Sequence, residues 1–235
     1  MAVTWISDSQ ASQLQSYPIN TMPVLNVTKP TGVQAGDLLI AFAWGLEVQV
    51  SAAPSGFTLI GSQSATQLGQ NFYYVAVSVW YKVATGAEPG SYGWTPTQTG
   101  TSPGQEWEFS VDMTCYRGAN QNPRLGENVG INQGSHDPGT QQQIFTENNS
   151  AANKRPSVLI WTCSGVGLNE STGLPDGMNL RSNYAYTHQQ VKIADQLLYP
   201  RVPVTKSWSQ NGYGSTWVSI MFYLTEAAFS GYVSD

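Results

Sequence analysis

Three acidic residues have the clearest potential for chemistry. Glu106, Glu108 and Asp112 lie at even spacing in residues 106–115, where polar and apolar residues alternate strictly. Because successive side chains of a β-strand point to opposite faces, this spacing places the three carboxylates on one face. Paired carboxylates hydrolyse glycosidic bonds, one as an acid and the other as a base or nucleophile. The pattern therefore raises the hypothesis of a polysaccharide-degrading glycosidase.

The details of the same stretch count against that hypothesis. Jelly-roll glycosidases of the laminarinase type carry Glu-x-Asp-x-x-Glu on a strand, and this stretch differs at the middle Asp, the final Glu and the spacing. At ~3.3 Å per residue, Glu106 and Glu108 lie roughly 7 Å apart, which suits an inverting pair, whereas Glu108 and Asp112 lie roughly 13 Å apart, which suits neither mechanism. The aromatic residues alternate onto the other face. We predict no catalytic residues and an exposed acidic face.

Histidine and cysteine chemistry is also poorly supported. The two histidines, His136 and His188, have no His, Cys or Glu at ligand spacing, so we predict no metal site and no cofactor. Cys115 and Cys163 lie in strand-like runs without CxxC spacing, which indicates buried free thiols rather than a disulfide. Calcium bound by the Asp- and Asn-containing residues 169–176 remains an alternative.

The composition indicates a folded protein with a neutral polar surface. Of 235 residues, 40% are hydrophobic and only 11% are charged, and the net charge is −5. The negative net charge and the lack of a basic stripe argue against a nucleic-acid partner. We expect no membrane segment and no secretory signal, since the apolar runs are short and no basic region precedes one near residue 1.

The elements that would hold these residues are strands. Period-2 alternation recurs between clusters of Gly, Pro, Asn and Ser, and helical periodicity is nearly missing. Strong strands are predicted at 37–44, 71–83, 106–115, 157–163 and 216–224, and weaker ones at 23–28, 56–62, 91–95, 178–186 and 189–195. No internal repeat or linker is evident. The pattern predicts an all-β, antiparallel two-sheet β-sandwich that is jelly-roll-like.

The chain is predicted to form one domain with two peripheral segments. Residues 1–22 are expected to form an extended N-terminal arm, and residues 23–235 a single β-sandwich domain. Within that domain, residues 120–156 are polar and rich in Gln and Asn, so we predict a long loop that contacts other molecules.

Five short phrases are shared with a known family. They fall at residues 36–41, 54–60, 80–84, 91–94 and 116–119. In this order they resemble β-sandwich proteins of tailed bacteriophages and prophages, described as minor structural, tail-associated or capsid-decorating proteins. The resemblance implies a particle component that is often trimeric and has no catalytic residues. It covers residues 30–120 well and the remainder loosely.

The resemblance and the neutral surface together favour one role. We expect a capsid decoration or cement protein of the virion that binds the major capsid protein and, as the resemblance implies, forms a homotrimer. The alternative is a tail fibre or receptor-binding module that binds a host surface glycan, for which the eight Trp and twelve Tyr supply stacking residues. A secreted carbohydrate-binding module is disfavoured by the missing signal.

Overall fold

A computed structural model of the chain describes residues 2–16, 23–67, 73–99, 106–121, 130–136, 139–145, 157–166, 173–185, 189–198, 204–210 and 215–226. Over these ranges every regular element is a β-strand, as the alternation predicts. The strands are β1 (Thr4–Ser16), β2 (Leu25–Thr28), β3 (Leu38–Leu46), β4 (Val48–Ala52), β5 (Thr58–Gln67), β6 (Tyr73–Val83), β7 (Ser91–Gln98), β8 (Glu106–Arg117), β9 (Gly130–His136), β10 (Gly139–Phe145), β11 (Ser157–Val166), β12 (Asn179–Ala185), β13 (Gln189–Leu198), β14 (Val204–Gln210) and β15 (Ser215–Thr225).

Two five-stranded antiparallel sheets form the β-sandwich. The first sheet has the order β1-β8-β3-β6-β5 and the second has the order β12-β13-β11-β15-β9. A three-stranded sheet, β2-β7-β4, covers the outer face of the first sheet, and β10 pairs with β14. The predicted inner strands at 37–44, 157–163 and 216–224 are confirmed as β3, β11 and β15, each with neighbours on both sides.

The space between the two large sheets is the main hydrophobic core. Phe42 of β3 and Phe222 of β15 meet across it, with ring centroids 6.2 Å apart. Alternate residues of β3, β6, β11, β13 and β15 fill the rest of this layer. Both faces of β3 are buried, because its other side packs against the three-stranded sheet. This explains why its sequence is apolar without alternation.

The second sheet repeats the topology of the first. In the two strand orders, β5, β6, β3, β8 and β1 correspond in sequence to β12, β13, β11, β15 and β9, and the β2–β7 pair corresponds to β10–β14. Strand β4 is the one strand of the first half, β1 to β8, without a counterpart in the second half, β9 to β15, among the described elements. The expectation that the chain has no internal repeat is therefore wrong, because the repeat lies in the strand pairing.

Two local features recur at matching places in the halves. The Pro54 carbonyl accepts a hydrogen bond from the Phe57 N–H at 3.2 Å, and the Pro175 carbonyl accepts one from Met178 N–H at 3.1 Å. The third residue of each turn is a glycine at positive φ, 88° and 72°, as a type II turn requires. Each following strand then has one bulge, between Leu59 and Gly61 in β5 and between Leu180 and Ser182 in β12.

Both peripheral segments differ from the predictions. Residues 4–16 pair with β8 along their length, and hydroxyls of Ser7 and Ser9 donate to the carbonyls of Thr31 and Thr28. They are a strand at the edge of the first sheet, not an arm outside the domain. Residues 120–156, predicted as a long loop, contain β9 and β10. Both segments are mainly polar and so lack the pattern that predicts a strand. A strand at a sheet edge can form without apolar residues on both faces.

Candidate functional site

The acidic face of β8 is buried, which corrects the sequence prediction of an exposed face. Glu108 is 0% exposed and Asp112 is 2% exposed, and Ser110 and Thr114 on the same face are buried too. The second sheet covers this face, while Trp107 and its apolar neighbours pack on the other side. Alternation identified which residues share a face of β8 but not what covers it. The position of the Glu106 side chain lies outside the described residues.

The pKa of Asp112 on this face is strongly raised. Burial raises its pKa to about 7, the Ser182 hydroxyl acts in the opposite direction, and the charge of Asp8 raises the pKa further. Neither carboxylate oxygen makes a hydrogen bond of regular geometry within the described part of the chain, so the nearby Ser182 hydroxyl offsets only part of the effect of burial. A cavity of about 10 Å³ adjoins the side chain and has room for about one water molecule. No substrate-sized space reaches the carboxylate from this cavity.

A second polar cluster joins the two sheets beside Asp112. The hydroxyl of Tyr116 donates to Oδ2 of Asp195 at 3.2 Å, and Nε of Arg181 donates to the same oxygen at 2.8 Å. The Arg181 guanidinium also lies over the ring of Trp5, 5.1 Å from its centroid. Burial, followed by the charge of Asp195, raises the pKa of Tyr116 well above its usual value. These contacts hold the halves together and leave no exposed acid–base pair here.

Within the described part of the chain, the other residues considered for chemistry do not lie together. The described residues contain no group of three or more His, Cys, Asp or Glu side chains that could hold a metal ion. His136 ends β9, where its Cα partner is Ser215, and His188 lies outside the described residues. For the calcium alternative, Asp176 lies in the turn before Met178. Residues 169–172 of that segment lie outside the described residues.

The two cysteines are buried and unbonded, as predicted. Burial raises the pKa of both thiols to about 12, so they are protonated at neutral pH. The Cys115 thiol donates to Oδ2 of Asp37 at 3.7 Å. Both residues are therefore core components rather than nucleophiles.

The sequence did not indicate a groove on the outer face of the first sheet, with a volume of about 280 Å³. Strand β4 lies on one side of it and the edge strand β5 on the other, and β3 and β6 form its floor. Two half-buried aromatic residues of β6 line it, Tyr74 and Trp80, which are six residues apart and so roughly 20 Å apart along the strand. The complete lining is Ala43, Trp44, Gly45, Gln49, Val50, Leu59, Ser62, Gln63, Ser64, Tyr74, Ala76, Val77, Ser78, Trp80 and Phe109.

A tight turn between β3 and β4 builds this groove. Glu47 has a φ of 59°, and its backbone N–H donates to the Tyr74 carbonyl at 2.8 Å. Its carboxylate accepts the Tyr74 N–H at 2.6 Å. Burial raises the pKa of Glu47, and the Tyr74 N–H acts in the opposite direction. At Gly45 an added Cβ would lie 2.1 Å from the carbonyl oxygen of Val48, so only glycine permits β4 to fold back this closely.

The aromatic side chains of the groove are held in place. The indole Nε1–H of Trp80 donates to Oγ of Ser78 at 2.9 Å, and the ring makes an edge contact with buried Trp94, with centroids 6.2 Å apart. At the other end, the Tyr74 hydroxyl donates to Oε1 of Gln49 at 3.2 Å. The Gln49 amide nitrogen is then the group that this side chain presents to a ligand. Of the described lining residues, none carries a charge.

Comparison of the chain with protein-family models, with curated proteins and with solved structures finds no match. Over the described ranges, no helical segment has the length and apolar character needed to cross a membrane.

Proposed function

We propose that this chain is a non-enzymatic structural protein of a bacteriophage virion, a decoration or cement protein that binds the outer surface of the capsid. The observation that carries the proposal is the burial of Glu108 and Asp112 between the sheets. Acids sealed in this way stabilise or tune a fold but do not reach a polysaccharide. The resemblance of residues 30–120 to phage structural proteins supplies the particle role.

The surface composition supports a binding role. Only 11% of the residues are charged, so a large contact desolvates few charges and loses little free energy in doing so. The major capsid protein is the proposed partner, and the proposed assembly is a homotrimer. A subunit that binds only the assembled lattice, across subunit boundaries, stabilises that lattice by its binding free energy. Standard interfaces of about 1,600 Å² suffice.

Particles with and without this protein test the proposal. We expect particles that lack it to release DNA at a lower temperature, measured by dye fluorescence during heating, and re-addition of the purified protein to restore the original temperature. Equal release temperatures would contradict a cement role. Light scattering after gel filtration measures the oligomer, for which we expect three copies.

The tail receptor-binding module is the second candidate, and the uncharged groove under β4 favours it. The two locations differ in stoichiometry, because a capsid lattice takes hundreds of copies and a tail takes a few to a few dozen. Quantitative mass spectrometry of purified particles gives this number. Immunogold labelling of the tail tip alone would move the protein from the capsid to the tail.

A further inference from the structure

We infer that the groove under β4 binds a neutral saccharide chain. The inference goes beyond the particle role and holds for a capsid or a tail location. It depends on the groove's geometry, on the chemistry of its lining, and on a comparison with the same place in the second half.

The groove has the length and depth for a chain of sugar rings. Its floor consists of small side chains, including Ala43, Ala76 and Ser78, which leave space above the sheet between Tyr74 and Trp80, although little of their own surface is exposed. A volume of about 280 Å³ is at the small end for ligand sites, which suits an elongated ligand that remains partly in solvent. The two aromatic residues lie near opposite ends, because they are separated by six residues of one strand.

The lining combines the two kinds of group that a sugar requires. A sugar ring has an apolar C–H face, which packs on aromatic rings such as Trp80 and Tyr74. Its hydroxyls need donors and acceptors, which the amide of Gln49 and the hydroxyls of Ser62 and Ser64 supply. A purely apolar ligand would leave these polar groups desolvated and without partners.

The absence of charge in the described lining decides the class of sugar. Phosphorylated or sulfated ligands and sialic acids need Arg or Lys for tight recognition, and the lining has neither. Nucleotides are excluded for the same reason. A chain of neutral hexoses or N-acetylhexosamines is the ligand that this surface accommodates without an unpaired charge.

The second half shows that the groove is not a by-product of the topology. The small floor residues Ala76 and Ser78 correspond to the much larger Gln190 and Lys192, and all four are buried. Strand β4, which forms one wall, has no counterpart among the described strands of the second half. The first half therefore has both the added wall and the cleared floor.

The experiment uses the full chain on an array of neutral and anionic glycans, followed by calorimetric titration with a bound neutral oligosaccharide. The Ser62→Trp variant fills the groove from an exposed edge position. Asn183→Trp is its matched control, because Ser62 and Asn183 occupy the same register position in β5 and β12 and both are exposed. We expect Ser62→Trp to weaken binding at least about tenfold, or about 1.4 kcal/mol, and Asn183→Trp to leave it unchanged.

A second matched pair makes the test independent of the folding of one variant. Leu59 in the groove is 44% exposed, and its counterpart Leu180 outside the groove is 46% exposed. We expect Leu59→Ala to weaken binding several-fold and Leu180→Ala to have no effect. Binding of no neutral glycan, binding of anionic glycans alone, or equal effects within the matched pairs would overturn the inference. Unchanged DNA-release temperatures for these variants separate it from the cement role.

Discussion

The two halves of this molecule use the same strand order but fill their outer faces in opposite ways. In the first half, Ala41 of β3 is the cross-strand partner of Trp80 in β6. In the second, Trp161 of β11 is the partner of Ala194 in β13. Each half therefore pairs an alanine with a tryptophan, but the tryptophan is on the outer strand of the pair in the first half and on the central strand in the second. The exchange moves the indole from the centre of the sheet to the groove, so side-chain size, together with the added strand β4, decides where a groove can form.

The inner faces differ as well. The positions that Ser110, Asp112 and Thr114 occupy in β8 correspond to Val218, Ile220 and Phe222 in β15. The β15 side chains join the main core, and β15 packs against β5 and β6. The β8 side chains form the polar region beside Tyr184 and the small cavity. The space between the two large sheets therefore has an apolar region around β15 and a polar region around β8.

The largest effect is expected at the exchanged tryptophans. Trp161→Ala should lower the free energy of unfolding by about 4 kcal/mol, because it removes a fully buried indole. Trp80→Ala should cost about 2 kcal/mol, since its half-buried ring already contacts solvent. Urea unfolding followed by circular dichroism measures both. Equal losses would mean that the two faces are not packed as differently as their sequences indicate.

An ion pair beside the start of β3 is a further difference between the two halves. Arg117 donates from Nε to Oδ1 of Asp37 and from a terminal nitrogen to Oδ2, both at 2.8 Å. Burial raises the pKa of Asp37, but the hydrogen bonds from Arg117 and from the Gln34 backbone N–H outweigh burial and hold that pKa below its ordinary value. The register position of Arg117 in the second half is Thr225.

Arg117→Leu should therefore lower the free energy of unfolding, because it leaves the buried Asp37 carboxylate without its charged partner. Arg117→Lys keeps the charge but loses the bidentate geometry, so its stability should lie between that of Arg117→Leu and that of the native protein. Thermal unfolding at pH 7 measures the order of stability of the three proteins. A loss within 0.5 kcal/mol, taken as roughly the scatter of surface substitutions, would show that the pair contributes little.

The polar side between the sheets should make stability depend on pH. The pKa of Asp112 is about 7 in the folded protein against an ordinary value of 3.8. Between these values the folded protein retains a proton that the unfolded chain has lost, so the contribution of Asp112 to stability falls as the pH rises. From pH 5 to pH 8 the loss is about 2 to 3 kcal/mol.

Asp112→Asn removes this titration, and we expect its unfolding free energy to fall less than that of the native protein over the same range. Urea unfolding at pH 5, 6, 7 and 8 measures the difference between the two curves. Parallel curves would show that Asp112 does not ionise in this range. Ser182→Ala, which removes the hydroxyl that favours the charged form, should steepen the native curve.

The smallest effects test the equivalence of the halves directly. Gly56 and Gly177 have the same place in matching turns, and a Cβ at either would lie 3.0 to 3.1 Å from the side chain of Lys82 or Gln196. Alanine at positive φ costs about 1 to 2 kcal/mol, so Gly56→Ala and Gly177→Ala should destabilise the protein by similar amounts. Unequal losses, measured by thermal unfolding, would mean that the turns bear different strain.

Much of the fold was predictable from local patterns. Alternation predicts β6, β8 and β15, continuous apolar runs predict β3 and β11, and the Pro-x-Gly turns at 54–56 and 175–177 mark the starts of β5 and β12. The same two turns were the available signal for the repeat. Two matching turns alone do not establish a repeat, because the residues that follow them in the two halves share little beyond strand character. The sequence patterns do not predict β1, β9, β10 and β14, whose residues are mainly polar, or the short strand β4.

The candidate sites were less predictable. The residues of the groove come from β3, β4, β5 and β6, and Tyr74 and Trp80 were known only as residues on one face of a strand. The acids of β8 were assigned to solvent because polar residues usually mark an exposed face. Their burial depends on Ser182, Asp195 and other residues of the second half, which are 70 or more positions away in the chain.

Residue order alone established that the chain is all-β, which side chains share a strand face, that Cys115 and Cys163 are buried, and where the chain turns. These are local properties, set by the two-residue period of a strand and by the backbone freedom of glycine. Strand partners, the covering of the β8 acids, the repeat and the groove depend on contacts between distant segments. The two-residue period of a strand determines which face a residue occupies. Only tertiary packing decides what lies against that face.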